Sequence, residues 1–378
     1  MKKKIAIITD FRFWEQDSGS KNRTLHLLRY LDRFFRMDIV YLDRFDAAAR
    51  ERADALGLQS RIVDLGAVRP VRKREVYRDE PELKAHTHPL RIDRLNAFLL
   101  ENSADIIINT NIRTHAYVQN LPYDVLKIID LHDLMHMRSR SFQAHHAAEE
   151  ITLSAAREFE IIDTYDHILA IQQNEYEICC RHLAPEKVHL VPHASNIRNV
   201  YTSKQAIRSV GYIATDNPSN SGAIEWFLKQ VWIWHNAFPS LTLHIYGSIV
   251  NRFEAPDLPF VHLAGHVDDL QEVYRNSDIM INPVRFGSGL KIKNVEALIH
   301  AIPLVTTSVG AQGMEEGGNN AFLQADTPQE WCQALTALSL SGPLRDTLSR
   351  NATVFSEKKF STSACYDGLV ALLKSAGA

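Results

Sequence analysis

The sequence predicts an α/β protein made of two doubly wound parallel-sheet domains in series, and three observations predict it. Short apolar runs at 4–9, 38–42, 61–64, 105–109, 126–130, 167–171 and 187–191 alternate with helical periodicity at 21–35, 92–100, 146–165 and 174–182. After a polar stretch at 192–206 the alternation restarts, with apolar runs at 210–213, 241–246, 260–263, 278–281 and 303–306. With 378 residues, 45% of them hydrophobic, the chain is long enough to fill two cores. Apolar strands separated by amphipathic helices are the pattern of sheets covered on both faces.

Each element follows from local chemistry. The run at 4–9 reads as a first buried strand. It is too short for a signal peptide and leads into Asp10 and Arg12 with no small-residue cleavage site. Asp17-Ser18-Gly19-Ser20 then opens a helix that carries Arg23 near its start, with Ser20 suited to an N-cap. Asn109-Thr110-Asn111 follows the strand at 105–109 and offers polar groups to a cleft. The strand at 126–130 ends in Ile128-Ile129-Asp130-Leu131-His132-Asp133. Ligands of open α/β sheets bind beyond the carboxyl ends of strands, so these ends carry the candidate groups.

The stretch at 192–206 reads as the hinge, giving a first domain at 1–200 and a second at 207–358. In the second, a long helix at 220–238 carries Trp226, Phe227, Trp232 and Trp234, which read as core. A strand ending in Tyr246-Gly247-Ser248, a helix at 267–276, and helices at 328–340 and 344–355 complete it, and a helix at 364–374 closes the chain.

Composition excludes several classes. Lys and Arg number 42 against 45 Asp and Glu, a net charge of -3, which leaves no footprint for non-specific nucleic-acid binding. The four cysteines include the adjacent pair Cys179 and Cys180 and form no C-x-x-C, so neither a zinc knuckle nor a disulfide framework is indicated. A reducing cytoplasm is the simplest setting. No run approaches the ~18 apolar residues of a membrane span. The basic run Arg69-Pro70-Val71-Arg72-Lys73-Arg74 reads as a solvated loop or as an attractor of an anionic acceptor or membrane surface.

The most informative stretch runs from Asn282 to Gly313. An apolar strand enters the loop Phe286-Gly287-Ser288-Gly289-Leu290, which opens a helix carrying Lys291, Lys293 and Glu296. Glycines let backbone N–H groups approach a phosphate, and the helix adds its positive end. Two lysines in a first turn oppose the macrodipole by about 0.3–1 kcal/mol each, which makes sense if an anion occupies the loop. Solvated i,i+3 pairing is the alternative reading. Glu296, a turn further on, suits sugar hydroxyls. Together they point to a nucleoside diphosphate carrying a sugar.

These residues resemble the nucleotide-sugar signature of family 4 glycosyltransferases, the group 1 set with the GT-B fold. The matching features are Gly287-Ser288-Gly289, Lys291 and Lys293, Glu296-Ala297-Leu298 and Pro303. The resemblance implies two Rossmann-like domains facing a cleft, acceptor on the first, nucleotide sugar on the second, and a final helix at 361–378 packing back on the first. It implies that Glu296 binds ribose, that the amides of 287–290 hold the diphosphate, and that Gly19 and Ser20 lie beside the donor. It also implies that Gly247 borders the nucleotide and that His132 contacts the transferred sugar, with Asp133 fixing its tautomer or meeting acceptor hydroxyls. Two departures stand out. Ser288 occupies the place of the commoner donor-sugar Glu, and Asp216-Asn217 stands where a basic pair often grips the diphosphate.

The implied activity is transfer of a sugar from a nucleoside diphosphate to an acceptor hydroxyl, with retention, in glycan or glycoconjugate synthesis. The acceptor is a glycan, a lipid-linked molecule or another hydroxyl compound. The rival is a non-catalytic GT-B subunit that binds a nucleotide sugar or a partner. No cofactor and no metal are expected, although His132 and His136 stand four apart. No nucleic-acid partner is expected, and the location is cytoplasmic, at most at the inner face of the membrane. A nicotinamide dehydrogenase is disfavoured because no G-x-G-x-x-G follows the first strand.

Overall fold

A computed structural model of the chain describes residues 3–66, 83, 87–149, 151–238, 240–253, 259–267 and 269–376, so the basic run at 69–74 lies outside the described residues. The first domain runs β1 (Lys4–Thr9), α1 (Gly19–Leu31), β2 (Arg36–Tyr41), α2 (Ala47–Asp54), β3 (Arg61–Asp64), α3 (Pro89–Glu101), β4 (Ile106–Asn109), α4 (His115–Val118), β5 (Leu126–Asp130), α5 (Met135–Ala144), α6 (Ala155–Asp163), β6 (His167–Ala170), α7 (Gln173–His182) and β7 (Val188–Leu190). The second runs β8 (Ser209–Ile213), α8 (Pro218–Gln230), β9 (Thr242–Tyr246), β10 (Val261–Gly265), α9 (Leu270–Arg275), β11 (Ile279–Asn282), α10 (Ile292–Ile299), β12 (Leu304–Thr306), β13 (Leu323–Gln324), α11 (Pro328–Leu340) and α12 (Gly342–Lys359), and α13 (Thr362–Ser375) follows.

Both sheets are parallel throughout. The first has the order β3-β2-β1-β4-β5-β6-β7 and the second β10-β9-β8-β11-β12-β13. Strands covered on both faces are apolar at every position, and β4, Ile106-Ile107-Ile108-Asn109, is buried along its whole length. Alternation then sorts side chains between layers: Ile5 and Ile7 join one core, Ala6 and Ile8 the other. The strand order reverses between β1 and β4 and between β8 and β11, so each domain presents a ligand crevice at those strand ends.

The domains are joined twice. The linker after β7 carries the chain into the second domain, and the turn after α12 returns it. Tyr366, Leu369, Val370 and Leu373 of α13 pack into the core formed with Ile5, Ile7, Leu25 and Leu28, and the Tyr366 hydroxyl accepts from the Ala194 N–H at 3.2 Å.

Two helical stretches differ from expectation. The periodicity at 146–165 is not one helix. α5 ends at Ala144, His146 adopts φ +53°, and Ser154 caps α6 by accepting from Arg157 N–H. Buried Glu158 reaches back from α6 to accept from Met135 and His136 N–H at 2.6 and 2.8 Å, fixing the start of α5. The helix at 220–238 stops at Gln230, and a 3-10 turn at Trp232–Ala237 follows. Phe227 and Trp232 are core and Trp226 is half-buried against it with Arg285 over its ring, whereas Trp234 is 60% exposed.

Because α13 completes the first domain's core, Leu373→Ala is expected to destabilise that domain by about 2–4 kcal/mol. Urea unfolding followed through a probe in β1–α1 checks this. Loss confined to α13 would show that the helix is only an appendage.

Candidate active site

The second domain's share of the site begins at the end of β11. Asn282 Nδ2 donates to Asn294 Oδ1 at 2.9 Å, Asn294 Nδ2 donates to Thr306 Oγ1 at 3.0 Å, and Thr306 Oγ1 donates to the Asn282 carbonyl at 3.0 Å. This buried ring locks β11, α10 and β12 together, and the glycine loop springs from it. Gly287 and Gly289 take φ of +122° and +75°, in the left-handed region that favours glycine. Ser219 Oγ donates to the Phe286 carbonyl at 2.6 Å and steadies the loop from α8.

The lysines are not both in the first turn. α10 starts at Ile292, so Lys291 is its N-cap residue and only Lys293 lies inside the helix. The Lys291 ammonium folds back to donate to the carbonyls of Ser288 and Gly289 at 2.9 and 2.7 Å and to Gln312 Oε1 at 3.3 Å, which keeps it out of the helix. Lys293 donates to Asn220 Oδ1 at 3.0 Å and lies 4.9 Å from the centre of the Tyr212 ring. Burial pushes Lys291 down to about 8 and Lys293 to about 7, the latter helped by Lys291. Among the described residues, neither has a carboxylate within ion-pair distance. The N–H groups of Ser288, Gly289 and Leu290 likewise have no acceptor there.

The first domain supplies the facing wall. Ser18, not Ser20, is the N-cap of α1, and Ser20 sits in its first turn. Gly19 lies against α10 so closely that a Cβ there would stand 3.2 Å from Ile292 Cδ1. Asn22 Nδ2 donates to Glu296 Oε1 at 3.1 Å, and the Tyr274 hydroxyl donates to Glu296 Oε2 at 2.9 Å. Burial outweighs both and pushes the Glu296 carboxyl up to about 7.

Beneath α1, fully buried Arg23 pairs with Asp130 and donates to the Val191 carbonyl at 2.9 Å. Burial pushes the Asp130 carboxyl up, but Arg23 and His132 offset this and hold it below the ordinary range. His132 stacks on Phe11, ring centres 4.9 Å apart, with Nε2 3.4 Å from Asp130 Oδ2. The carboxylate beside the imidazole is therefore Asp130. Asp133 points the other way and accepts from Ser288 Oγ at 2.9 Å and from Arg138 at 3.4 Å.

These walls enclose a cleft of about 1000 Å³ lined by Gly19, Ser20, His132, Asp133, Gly247, Ser288, Leu290, Lys291, Lys293 and Glu296. Gly287 and Gly289 do not line it. Gly287 N–H donates to Ser141 Oγ of α5 at 2.8 Å and faces a side pocket, and Gly289 packs on Asp133. Gly247, at φ +89°, passes close to the Ala214 carbonyl, where a Cβ would come within 2.3 Å. Asn109, Thr110 and Asn111 are buried structural groups rather than cleft groups. Asn109 Nδ2 donates to the Tyr165 hydroxyl and Asn111 Nδ2 to Asp10. His136 is bonded to Glu158 rather than paired with His132, and among the described residues no three His, Cys, Asp or Glu side chains gather as a metal site.

Sequence reasoning missed Asn22, Asn220, Tyr274, Arg138 and Asp130. Only Asn22 and Asp130 carried a usable signal, one lying a turn into a helix that opens at a strand end and the other closing β5. The Asp216-Asn217 departure has a structural use: Asn217 Oδ1 accepts from Asn220 N–H at the start of α8, and Asp216 pairs with Arg252. Asn220, so placed, receives Lys293.

Residues 207–340 match the family model described as glycosyl transferases group 1. The matched stretch spans all six strands of the second sheet. The whole chain has the GT-B fold: S. aureus TarM, crystallised as a variant with fondaparinux, alpha-GlcNAc-glycerol and UDP, superposes with a TM-score of 0.76 at 12% identity, covering 99% of this chain and 100% of that one. Sucrose-phosphate synthase from Thermosynechococcus elongatus superposes with a TM-score of 0.73 at 14% identity, covering 99% and 98%. A curated relative, an uncharacterized 44.6 kDa protein in the cps region of Klebsiella pneumoniae, is 39% identical over 109 residues, covering 25% of this chain and 28% of that protein. At these identities the superpositions show the GT-B fold alone.

The glycine loop of the second domain touches the first domain directly. A Cβ at Gly289 would lie 2.2 Å from Asp133 Oδ1 and 3.2 Å from the His132 carbonyl. Gly289→Ala is therefore expected to cost about 2–4 kcal/mol, combining overpacking with a left-handed alanine. Thermal or urea unfolding measures it, and Gly289→Ala/Asp133→Ala should recover part of the loss. No recovery would mean that the backbone, not the contact, sets the cost.

Proposed function

We propose that the chain is a glycosyltransferase that moves a sugar from a nucleoside diphosphate donor to an acceptor hydroxyl with retention of configuration, in glycan or glycoconjugate synthesis. One observation carries the reading. Two half-buried lysines, with no carboxylate within ion-pair distance among the described residues, stand at the switch-point crevice of a domain that matches the group 1 model, one turn from a half-buried glutamate. Such an arrangement is costly when empty and favourable around a diphosphate. The UDP in the TarM complex and the cps-region setting of the Klebsiella relative support the same reading.

In this proposal the diphosphate lies at the amides of Ser288 and Leu290 and at Lys293, with Lys291 holding the loop in shape and Gly289 giving the turn its angle. Glu296 takes the ribose hydroxyls in place of Asn22 and Tyr274, and Gly19, Ser20 and Gly247 border the donor. As the bond to the sugar breaks, negative charge grows on the leaving diphosphate, and preorganised N–H groups and the ammonium stabilise it. His132, oriented by Asp130, donates a hydrogen bond to a hydroxyl of the transferred sugar. Asp133 and Arg138 meet the acceptor or the donor sugar from the first domain. Closure of the cleft excludes water and limits hydrolysis. The donor is a substrate; no cofactor, metal or nucleic acid enters the scheme. The proposed setting is the cytoplasm, at most the inner membrane face; among the described residues no helix is long and apolar enough to cross a membrane.

A screen of nucleoside diphosphates by thermal shift tests the reading. Stabilisation should fall by at least about tenfold in apparent affinity in Lys291→Ala/Lys293→Ala. Unchanged shifts in that variant would remove the phosphate role, and binding without donor hydrolysis or transfer would favour a non-catalytic subunit. The pH dependence is a further check. Only the protonated lysine binds the anion, and Lys293 loses its proton near 7 in the empty cleft. Affinity should thus fall as pH rises from 7 to 9, with proton uptake on binding visible by calorimetry in buffers of different ionisation heat. Binding that strengthens over that range would contradict it.

A further inference from the structure

α1 and α10 run side by side along the cleft, and their contacts set a scale. Gly19 meets Ile292, and one turn on Asn22 meets Glu296. His26 and Arg29 continue the same face of α1, at i+4 and i+7 from Asn22, about 10 Å further along at 1.5 Å per residue. There the cleft is lined by His26 and Arg29 from α1, Ser195 and Arg198 from the linker, and His300 at the end of α10. None of these groups has a role in the donor scheme.

The cluster is built rather than accidental. Arg198 N–H donates to the Ile299 carbonyl and Val200 N–H to the His300 carbonyl, both at 3.1 Å, which pins the linker to the end of α10. His300 is buried, stacked on Tyr274 with ring centres 4.4 Å apart, and its Nδ1 is bonded to the Glu296 carbonyl at 2.7 Å. Its Nε2 is buried without a partner among the described residues. Arg29 and Arg198 also lack a carboxylate within ion-pair distance there. The acidic groups facing the same cleft are engaged elsewhere. Glu15 and Asp17 pair with Lys21, Asp133 with Arg138 and Ser288, Asp269 caps α9, and Glu296 is held by Asn22 and Tyr274.

Complementing a helix dipole explains Arg29, in the last turn of α1, but not Arg198, which lies on no helix. Like charges brought together from separate segments destabilise one another, and an anion between them reverses the sign. We infer that this end of the cleft is a second anion site, built for a phosphoryl group and distinct from the lysine-lined loop. Guanidinium, imidazole and hydroxyl groups converge from three segments, which suits a tetrahedral ligand with three free oxygens. A planar carboxylate would be satisfied by one bidentate arginine.

The site is tested apart from the donor reading by titrating the full chain carrying Lys291→Ala/Lys293→Ala with inorganic phosphate and, separately, glycerol 3-phosphate, followed by phosphorus NMR line broadening. Saturable binding is expected to remain in that variant, to weaken by at least about tenfold on adding Arg29→Ala/Arg198→Ala, and to persist with Arg29→Lys/Arg198→Lys. Comparable binding of both probes assigns the site to a phosphoryl group on an organic ligand, and binding of inorganic phosphate alone assigns it to a free anion. Either supports the site. Absence of saturable binding in the lysine variant, or binding indifferent to both arginines, overturns it. Should the lysine variant fail to fold, the arginine pair is changed in the otherwise native chain, where two phosphate sites should fall to one. A protein that failed to bind nucleoside diphosphates yet passed this test would lose the donor reading and keep the second site.

Discussion

Gly289 lies so near Asp133 that a single methyl group would reach within 2.2 Å of its carboxylate, and much of the site depends on that closeness. The loop belongs to one domain and the aspartate to the other. Ser288 donating to Asp133, Gly287 donating to Ser141, and Phe286 stacked against His145 all fasten the same turn across the gap. The turn's geometry is thus determined by both sheets at once. A glycine is needed for the approach as well as for the backbone angle, and the two requirements fall on one residue.

The charge arrangement follows from this enclosure. Burial weakens the hold of Lys291 and Lys293 on their protons and strengthens that of Glu296, so a cation pair and a carboxyl all lie close to neutrality when the cleft is empty. Glu175 shows the same effect deeper in, pushed up to about 8 by burial, with Asp133 nearby. The low-dielectric surroundings that make these groups reluctant to ionise also strengthen their interaction with any charge that arrives. Arg23 and Asp130 differ because each is the other's partner; they remain charged and brace the strand end under His132.

How far the sequence discloses all this depends on the kind of interaction. Runs such as Ile106-Ile107-Ile108 are apolar because both faces are covered, so parallel strands announce themselves locally. The glycine loop was equally plain, since left-handed angles and close approach leave a compositional trace. Roles that arise between distant segments leave none. Arg23 looks like any solvated helix residue until Asp130 is brought beneath it, and nothing in Asn22 foretells Glu296. Helical periodicity misled at 146–165 because His146 turns the backbone to positive φ and the helix begins only after its Ser154 cap. The placement of Lys291 as an N-cap depended on three carbonyl and amide oxygens that only the folded loop assembles.

The final helix has a consequence for how the molecule is made. Tyr366, Leu369 and Leu373 fill the layer against β1 and α1, yet they leave the ribosome after the entire second domain. β1 and α1, synthesised before the second domain, must wait with an incomplete core while that domain folds. Vectorial synthesis thus favours the second lobe as the first finished unit, and a chain interrupted before α13 would carry an open hydrophobic groove where that helix belongs.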